Sequence, residues 1–321
     1  ALSLSRLAYD LENLLSPMLA AALIAILTFD VLFLMNGLAF ILSASLVLSV
    51  TLPGRKDESH GELFWTRVTK GTRIYLKTPR LKGLLALSMV VSSAGAMQIV
   101  NTVVYVQSYL GLAEEWVAIA FAAAGGGSMA AALTLPGILR RVAPRSCMLS
   151  GGFLLSVSVL AGSAMPGINS LILLWFLMGI GMSMILTPAG RLLTQSSREK
   201  DRPALFAAQF SLSHACWLIT YPLAGWLGVQ LGLMGAFIAL GSIALVSAVV
   251  ATSLWPRRDP DYLEHTHRAT THDHYHYHDE HHQHEHEGWE GPEPHRHTHR
   301  HLHNIHEHDF VIDDHHTYWP K

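Results

Sequence analysis

The residues of this chain that are best suited to chemistry are histidines, and they are concentrated at its end. Of the 21 histidines, 19 lie within the last 57 residues, where they alternate with other polar residues. Imidazole is a good ligand for nickel, cobalt, copper and zinc, whereas magnesium and calcium prefer oxygen ligands. Most histidines are uncharged at neutral pH and are therefore able to bind a metal. The pattern predicts a segment that binds borderline transition metals.

No spacing in this segment defines one closed ligand set, so we expect several exchangeable ions of nickel, cobalt, zinc or copper and no required cofactor. Alternate residues of an extended chain lie on the same side, which would align the imidazoles in two clusters. The segment has too few apolar residues to bury a core, and we expect it to be disordered without metal. The predicted ligands are His272, His274, His276, His278, His281, His282, His284, His286, His295, His297, His299, His301, His303, His306 and His308.

The rest of the chain has the composition of a membrane protein. Half of all residues are hydrophobic and only 14% are charged, although the histidine-rich end is almost wholly polar. A helix needs about 20 mostly apolar residues to cross a bilayer. Eight segments meet this requirement, and short joints between several of them make neighbouring spans antiparallel. The predicted spans are 5–27, 31–51, 83–105, 116–138, 147–165, 168–189, 204–229 and 233–254.

The lysines and arginines of the loops lie on one side of these spans. They follow spans two, four, six and eight, and the loops on the opposite side contain none. Positively charged loops are retained in the cytoplasm. We therefore expect a protein integral to a bacterial-type cytoplasmic (inner) membrane, with its histidine-rich tail in the cytoplasm.

A long basic loop at 52–82, which we expect to be partly helical, divides the spans into two and six. Six spans after such a loop are typical of one half of a transporter that is built from two six-helix repeats. The chain therefore divides into the remnant of a first half (1–51), this central linker, a complete second half (83–255) and the tail (256–321). We expect the glycine runs in spans four and six to permit close helix packing.

This arrangement resembles the major facilitator superfamily, and two motifs support the resemblance. In span one, Ser16, Pro17, Ala20 and Ala21 are similar to the Gly-Pro-x-x-Gly-Gly pattern of the family's fifth helix, with small residues in place of glycines. The resemblance implies an all-α bundle in which eight of twelve expected transmembrane helices are present, the first four being absent, followed by the disordered tail.

The second motif lies between spans four and five. Gly137, Arg140, Arg141 and Arg145 resemble the family's basic loop, which here lacks its acidic residue and therefore the usual gating ion pair. The histidine-rich tail itself is similar to that of the NreB-type nickel-resistance branch of the superfamily. That likeness implies export of nickel or a similar metal.

Polar residues inside the spans are candidates for the transport path. His214 lies about ten positions into span seven, roughly 15 Å deep at 1.5 Å per residue, where such transporters bind their substrates. It is either a metal ligand or proton-coupled group, or a histidine that is hydrogen-bonded to a neighbouring helix. We expect Ser211 and Tyr221 to share its face. The remaining candidates, in spans one and three, are Asp10, Glu12, Asn13, Gln98 and Asn101.

The leading hypothesis is a secondary active transporter that exports a divalent transition metal, with nickel favoured, in exchange for protons. The first alternative is an exporter of organic compounds whose tail only buffers or senses metal. The second is a membrane-anchored metal-binding fragment without transport. No catalytic triad, phosphate loop or HExxH motif occurs, so we do not expect an enzyme. The expected partners are the lipid bilayer, metal ions and protons, without nucleic acid or an obligate protein partner.

Overall fold

The apolar segments of the sequence form long helices. The computed structural model describes residues 23, 27–49, 64–257, 262–267, 271–276, 295–300, 304–309, 311, 312 and 319. A π-helical segment, Val104–Tyr109, extends the third helix, and a short 3-10 turn, Glu199–Asp201, precedes the seventh. The helices are α1 (Phe29–Ser49), α2 (Phe64–Lys77), α3 (Pro79–Val103), α4 (Glu114–Ile138), α5 (Pro144–Gly162), α6 (Ile168–Gln195), α7 (Arg202–Gln230) and α8 (Gly232–Leu254).

Six of the described helices are long and apolar enough to cross a membrane, namely α1, α3 with its π-helical extension, α4, α5, α6 and α8. Helix α7, with 29 residues, is long enough to cross a membrane but is not among these six. The seven spans predicted between 31 and 254 therefore each coincide with a helix, and α2 confirms the helix expected in the linker. The first predicted span, 5–27, lies almost wholly outside the described residues.

Contacts at the two ends of the bundle show that α3 and α6 run antiparallel. Arg80 at the start of α3 donates a hydrogen bond of 3.1 Å from Nη2 to the carbonyl of Gln195 at the end of α6. At the opposite end, the Tyr105 hydroxyl donates to the carbonyl of Pro166, between α5 and α6, over 2.8 Å. We call the end that contains Arg80 the basic end.

Arg145, from the predicted basic loop motif, joins the start of α5 to the end of α8. Its Nε donates to the carbonyl of Trp255 over 3.0 Å, and its Nη2 donates to that of Thr252 over 3.1 Å. A cation at a helix C-terminus is favourable because the last carbonyls lack partners within the helix. The motif's other arginines, Arg140 and Arg141, are exposed, and Gly137 faces open space. Arg145 therefore has a structural partner although the motif's acidic residue is missing.

Replacing Arg145 with alanine should lower the free energy of unfolding by about 2 kcal/mol, because two charge-assisted hydrogen bonds to α8 are lost. Denaturant unfolding of the purified protein in detergent measures this change. The matched control is Arg141→Ala, which removes an exposed arginine from the same loop and should change stability by less than about 0.5 kcal/mol. Equal effects of the two variants would contradict the role assigned to Arg145.

Glycines bring α4, α5 and α6 into close contact, as the sequence predicts. A Cβ on Gly127 would lie 2.0 Å from the carbonyl oxygen of Phe176, and one on Gly179 would lie 1.9 Å from that of Ala124. A Cβ on Gly181 would lie 2.9 Å from the carbonyl oxygen of Gly151. Small residues allow the backbones of membrane helices to approach in this way. The position of α4 relative to α6 therefore depends on these glycines.

The tail contains four strands, which differs from the disorder expected of it. Strand β1 (Tyr262–His267) pairs antiparallel with β4 (Asn304–Asp309), and β2 (Thr271–His276) pairs antiparallel with β3 (His295–Arg300). The expectation of disorder rested on the lack of apolar residues for a core. Pairing of strands, however, satisfies backbone donors and acceptors without requiring a core.

The two strand pairs of the tail keep one common register. His267 is opposite Asn304 in the first pair, and Thr271 is opposite Arg300 in the second, four residues further along on both strands. We call the four strands together the histidine ribbon. Its two sides are thus aligned along the whole of their described length.

Candidate functional site

A cleft with a volume of about 520 Å³ opens between α3, α4, α6 and α7. Its lining combines aromatic side chains with uncharged polar groups, and the predicted residues Gln98, His214 and Tyr221 all lie in it. A concave, mostly apolar surface with a few convergent polar groups is typical of a small-molecule site. The polar lining residues are Ser88, Gln98, Ser128, Gln209, Ser213 and His214.

Helix α7 presents one face to this cleft. Gln209, Ser213, Trp217 and Tyr221 follow each other at intervals of four residues, and all four line the cleft. Residues at this spacing form a nearly continuous stripe along a helix. Ser211, which the sequence placed on the same face, is exposed and is not among the lining residues.

The misplacement of Ser211 follows from helical geometry. His214 lies at the edge of the stripe, and Trp217 lies about 60° from it on one side. Ser211 lies about 60° from His214 on the other side. Taking His214 as the centre of the face therefore included Ser211 and excluded Gln209.

His214 is held by Phe210, one turn earlier in α7. Its Nδ1 is 2.8 Å from the Phe210 carbonyl oxygen, and its ring stacks on the Phe210 ring with 3.9 Å between centroids. Because a carbonyl oxygen only accepts hydrogen bonds, we assign the proton to Nδ1. Nε2 then keeps its lone pair. That atom is able to take up a proton or bind a metal ion at the cleft.

Gln209 connects the cleft to the linker helix α2. The Tyr75 hydroxyl donates a hydrogen bond to Gln209 Oε1, and Gln209 Nε2 donates to Ser88 Oγ on α3 over 3.4 Å. Burial, with a smaller contribution from the nearby Cys216 thiol, raises the pKa of Tyr75, so its hydroxyl stays protonated and remains a donor. Gln209 is not among the residues predicted from the sequence, although its helical spacing to Tyr221 was a usable signal.

Close packing holds α2 in position for this contact. A Cβ on Gly71 would lie 2.0 Å from the carbonyl oxygen of Ala204, so α2 packs directly on the start of α7. Beside it, Lys70 Nζ lies 3.0 Å from Asp201 Oδ1, and both side chains are largely buried. The linker helix is therefore part of the bundle, and it orients one of the polar groups of the cleft.

Asn101 has a packing role, while Gln98 belongs to the cleft. Asn101 Nδ2 donates to the carbonyl of Ala224 over 3.3 Å, and Asn101 is buried against α7. Its Oδ1 would lie 2.7 Å from a Cβ added at Gly228. Of these two predicted candidates, Gln98 therefore lines the cleft, whereas Asn101 joins two helices.

The described residues contain no group of three or more histidine, cysteine, aspartate or glutamate side chains that could hold a metal ion. His214 thus has no such companions within the part of the chain that the structure describes. The predicted candidates of span one lie outside the described residues. These are Asp10, Glu12, Asn13, Ser16, Pro17, Ala20 and Ala21.

The histidine ribbon brings predicted tail ligands into opposite positions on paired strands. Three pairs join predicted ligands, namely His272 with His299, His274 with His297 and His276 with His295, and a fourth joins the predicted His306 to His265, which was not predicted. His308 is opposite Leu263. The other predicted ligands lie outside the described residues, and they are His278, His281, His282, His284, His286, His301 and His303.

Residues 94–274 match the sequence pattern of the Major Facilitator Superfamily, which is more than half of the chain. The chain belongs to this superfamily. The superfamily match spans the last ten residues of α3, all of α4 to α8 and part of the ribbon, and so includes most of the residues that line the cleft. No curated protein matches the chain.

Membership confirms the superfamily resemblance and the all-α membrane fold. The chain is an integral membrane protein of a superfamily of secondary transporters. In transporters built from repeats, the substrate binds near the middle of the bilayer, between the repeats. The cleft lies on α3, α4, α6 and α7, at the depth of His214, and is therefore the candidate substrate site.

Proposed function

We propose that this superfamily member exports a divalent transition metal from the cytoplasm in exchange for protons, with nickel as the favoured cargo. The observation that carries the proposal is the concentration of 19 of 21 histidines in the last 57 residues. Imidazole ligands select nickel, cobalt, copper and zinc over the abundant hard cations. A likeness to the NreB-type nickel-resistance branch supports the same assignment.

The tail is proposed to collect metal for the transporter. The positively charged loops favour a cytoplasmic location of the basic end in an inner membrane, and the tail follows directly after α8 at that end. Opposed positions on antiparallel strands are about 4.5–5.5 Å apart, near enough for two imidazoles to share one ion. A feeder or buffer role fits such ligands better than a place in the transport path, since a polar tail would lose hydration inside the bundle.

The cleft is proposed to be the site through which the cargo passes. Among the described residues that line it, His214 is the one with an imidazole, a side chain that is able to accept and release a proton. Its Nε2 is therefore the candidate for proton exchange. Metal binding there would need further ligands, which the first half of the transporter would supply.

A second candidate function is export of organic compounds. The observation in its favour is the lining of the cleft, where Phe121, Trp217 and Tyr221 lie beside uncharged amides and hydroxyls. The Trp217 and Tyr221 rings are 4.9 Å apart and present a broad aromatic surface. Such a surface suits a flat or cationic organic molecule. In this case the tail only buffers or senses metal.

Growth on metal tests the proposed function. Cells expressing the intact protein should tolerate several-fold more nickel than cells with an empty vector. Deletion of 259–321 should reduce this tolerance without abolishing it. A matched control carries asparagine in place of every tail histidine and keeps the length of the tail.

Two results would reject metal export. One is unchanged tolerance to nickel, cobalt and zinc in cells that contain the protein in their membranes. The other is export of a fluorescent organic dye that survives both the tail deletion and His214→Ala. That second pattern would establish the organic-compound exporter instead.

A further inference from the structure

The end of the chain returns to the bundle after the histidine ribbon. Val311 and Ile312 follow β4 almost directly and are only 8% and 3% exposed. Ile312 belongs to the main hydrophobic cluster, which contains buried residues of α2 to α8. A polar tail that simply extended into water would leave both side chains exposed. These two residues are therefore anchored.

Trp319 makes a second contact with the bundle. Its ring lies 5.4 Å from the guanidinium carbon of Arg80, a cation that is itself only 3% exposed. Arg80 also donates to the Gln195 carbonyl, so the tryptophan covers the point at which α3 and α6 meet. A guanidinium over an aromatic face is attracted more strongly when both groups are removed from water.

The histidine ribbon is consequently joined to the bundle by both of its chain connections, which leave from the same end of the ribbon, where Tyr262 is opposite Asp309. Helix α8 ends at Leu254, and the next residue, Trp255, is 1% exposed. Strand β1 begins at Tyr262, and β4 ends at Asp309, two residues before the buried Val311. The ribbon is thus joined to the basic end through two connections that are short in sequence.

We propose that Val311, Ile312 and Trp319 form a docking element that couples metal binding in the histidine ribbon to the basic ends of α3 and α6. Metal ions that join opposite strands would make the ribbon more rigid and would lower the entropy lost when its end docks. Metal binding then raises the equilibrium constant for docking, and docking raises the affinity for metal by the same factor. The coupling rests on the metal binding of the proposed function but does not require transport.

Hydrogen exchange on the intact protein in detergent tests the docking. Trp319→Ala should speed exchange in the first turns of α3 and the last turn of α6 about 2-fold to 30-fold, the range expected from the loss of a cation–π contact. The matched control is Trp226→Ala, which removes a tryptophan that is 58% exposed on α7. Ile312→Asp, which places a charge at the second anchor, should act like Trp319→Ala.

Adding nickel chloride to the same samples tests the coupling. Nickel should slow exchange at these turns in the wild-type protein but not in Trp319→Ala, and that variant should bind nickel more weakly. Exchange in Trp319→Ala and Ile312→Asp that equals the Trp226→Ala control would overturn the docking element. Nickel binding that is equally tight with and without Trp319 would overturn the coupling, while leaving metal binding by the tail intact. A tail that binds no nickel would overturn both the coupling and the metal role of the proposed function. The hydrogen exchange measured without nickel would still show whether the docking element exists.

Discussion

Gly179→Ala should destabilise the protein by about 3 kcal/mol, because overpacking against rigid atoms costs about 1–3 kcal/mol or more. The added Cβ would lie 1.9 Å from the Ala124 carbonyl oxygen and 2.8 Å from the Ser128 amide nitrogen. Both are backbone atoms of α4, so no side chain is able to rotate away. The helices must separate or shift to accept the methyl group. Denaturant or thermal unfolding in detergent measures the loss.

The chain offers a matched control for this substitution. Gly126 lies in α4, the helix that Gly179 contacts, but a Cβ on Gly126 would meet nothing within 4 Å. Gly126→Ala should be neutral or stabilising by up to about 1 kcal/mol, the difference in helix propensity between the two residues. If the two variants unfold alike, the close approach of α4 and α6 is wrong.

The same glycine also influences the cleft. Gly179, Ala124 and Ser128 all line it, so the contact that Gly179 allows fixes the distance between two of its walls. A shift of α4 away from α6 would change the shape of the substrate site. Gly179→Ala should therefore impair transport even in the fraction of protein that remains folded.

The sequence was sufficient to predict the helices and their order. Twenty apolar residues in a row have few alternatives to a spanning helix. The loops that contain lysine and arginine follow every second span, so they all lie on one side of the membrane. Two of these cations also connect helices at the basic end, because Arg80 donates a hydrogen bond to the carbonyl of Gln195 and Arg145 donates one to that of Trp255. Their pattern along the chain indicates on which side they lie, but it does not indicate which carbonyl each one binds.

The cleft was predicted less completely. His214, Gln98 and Tyr221 were recognised because polar residues at this depth are costly unless they have a role. The contact between Tyr75 and Gln209 joins residues 134 positions apart, and no local pattern in the sequence indicates such a pair. Ser211 was misplaced because one residue was taken as the centre of a helix face of which it forms the edge.

The tail shows the opposite limitation. Its composition predicts ligands, but the alternation of histidines along one strand does not reveal that two strands are aligned in one register. The anchoring of Ile312 and Trp319 was missed for a similar reason. A few apolar residues after a long polar stretch carry little weight in a composition, yet Ile312 is buried and the Trp319 ring lies over Arg80.

His214→Gln should reduce transport about 100-fold, the lower end of what a positioned proton-transfer group contributes. Glutamine keeps a polar side chain of similar length at the cleft but is unable to take up a proton. The variant should also lose the response of transport to an imposed pH gradient. Reconstituted vesicles that contain a nickel-sensitive dye, with the outer pH varied, measure both quantities.

The control for His214 lies three residues earlier. Ser211→Ala alters a polar residue of the same helix that is exposed and outside the cleft lining, and it should leave transport unchanged. If His214→Gln keeps both its rate and its pH response, the imidazole only packs on Phe210 and proton coupling through it is wrong. If the rate falls but the pH response persists, His214 binds the cargo and another group carries the proton. Loss of both, with Ser211→Ala intact, assigns the exchangeable proton to Nε2, the atom that the Phe210 hydrogen bond leaves available at the cleft.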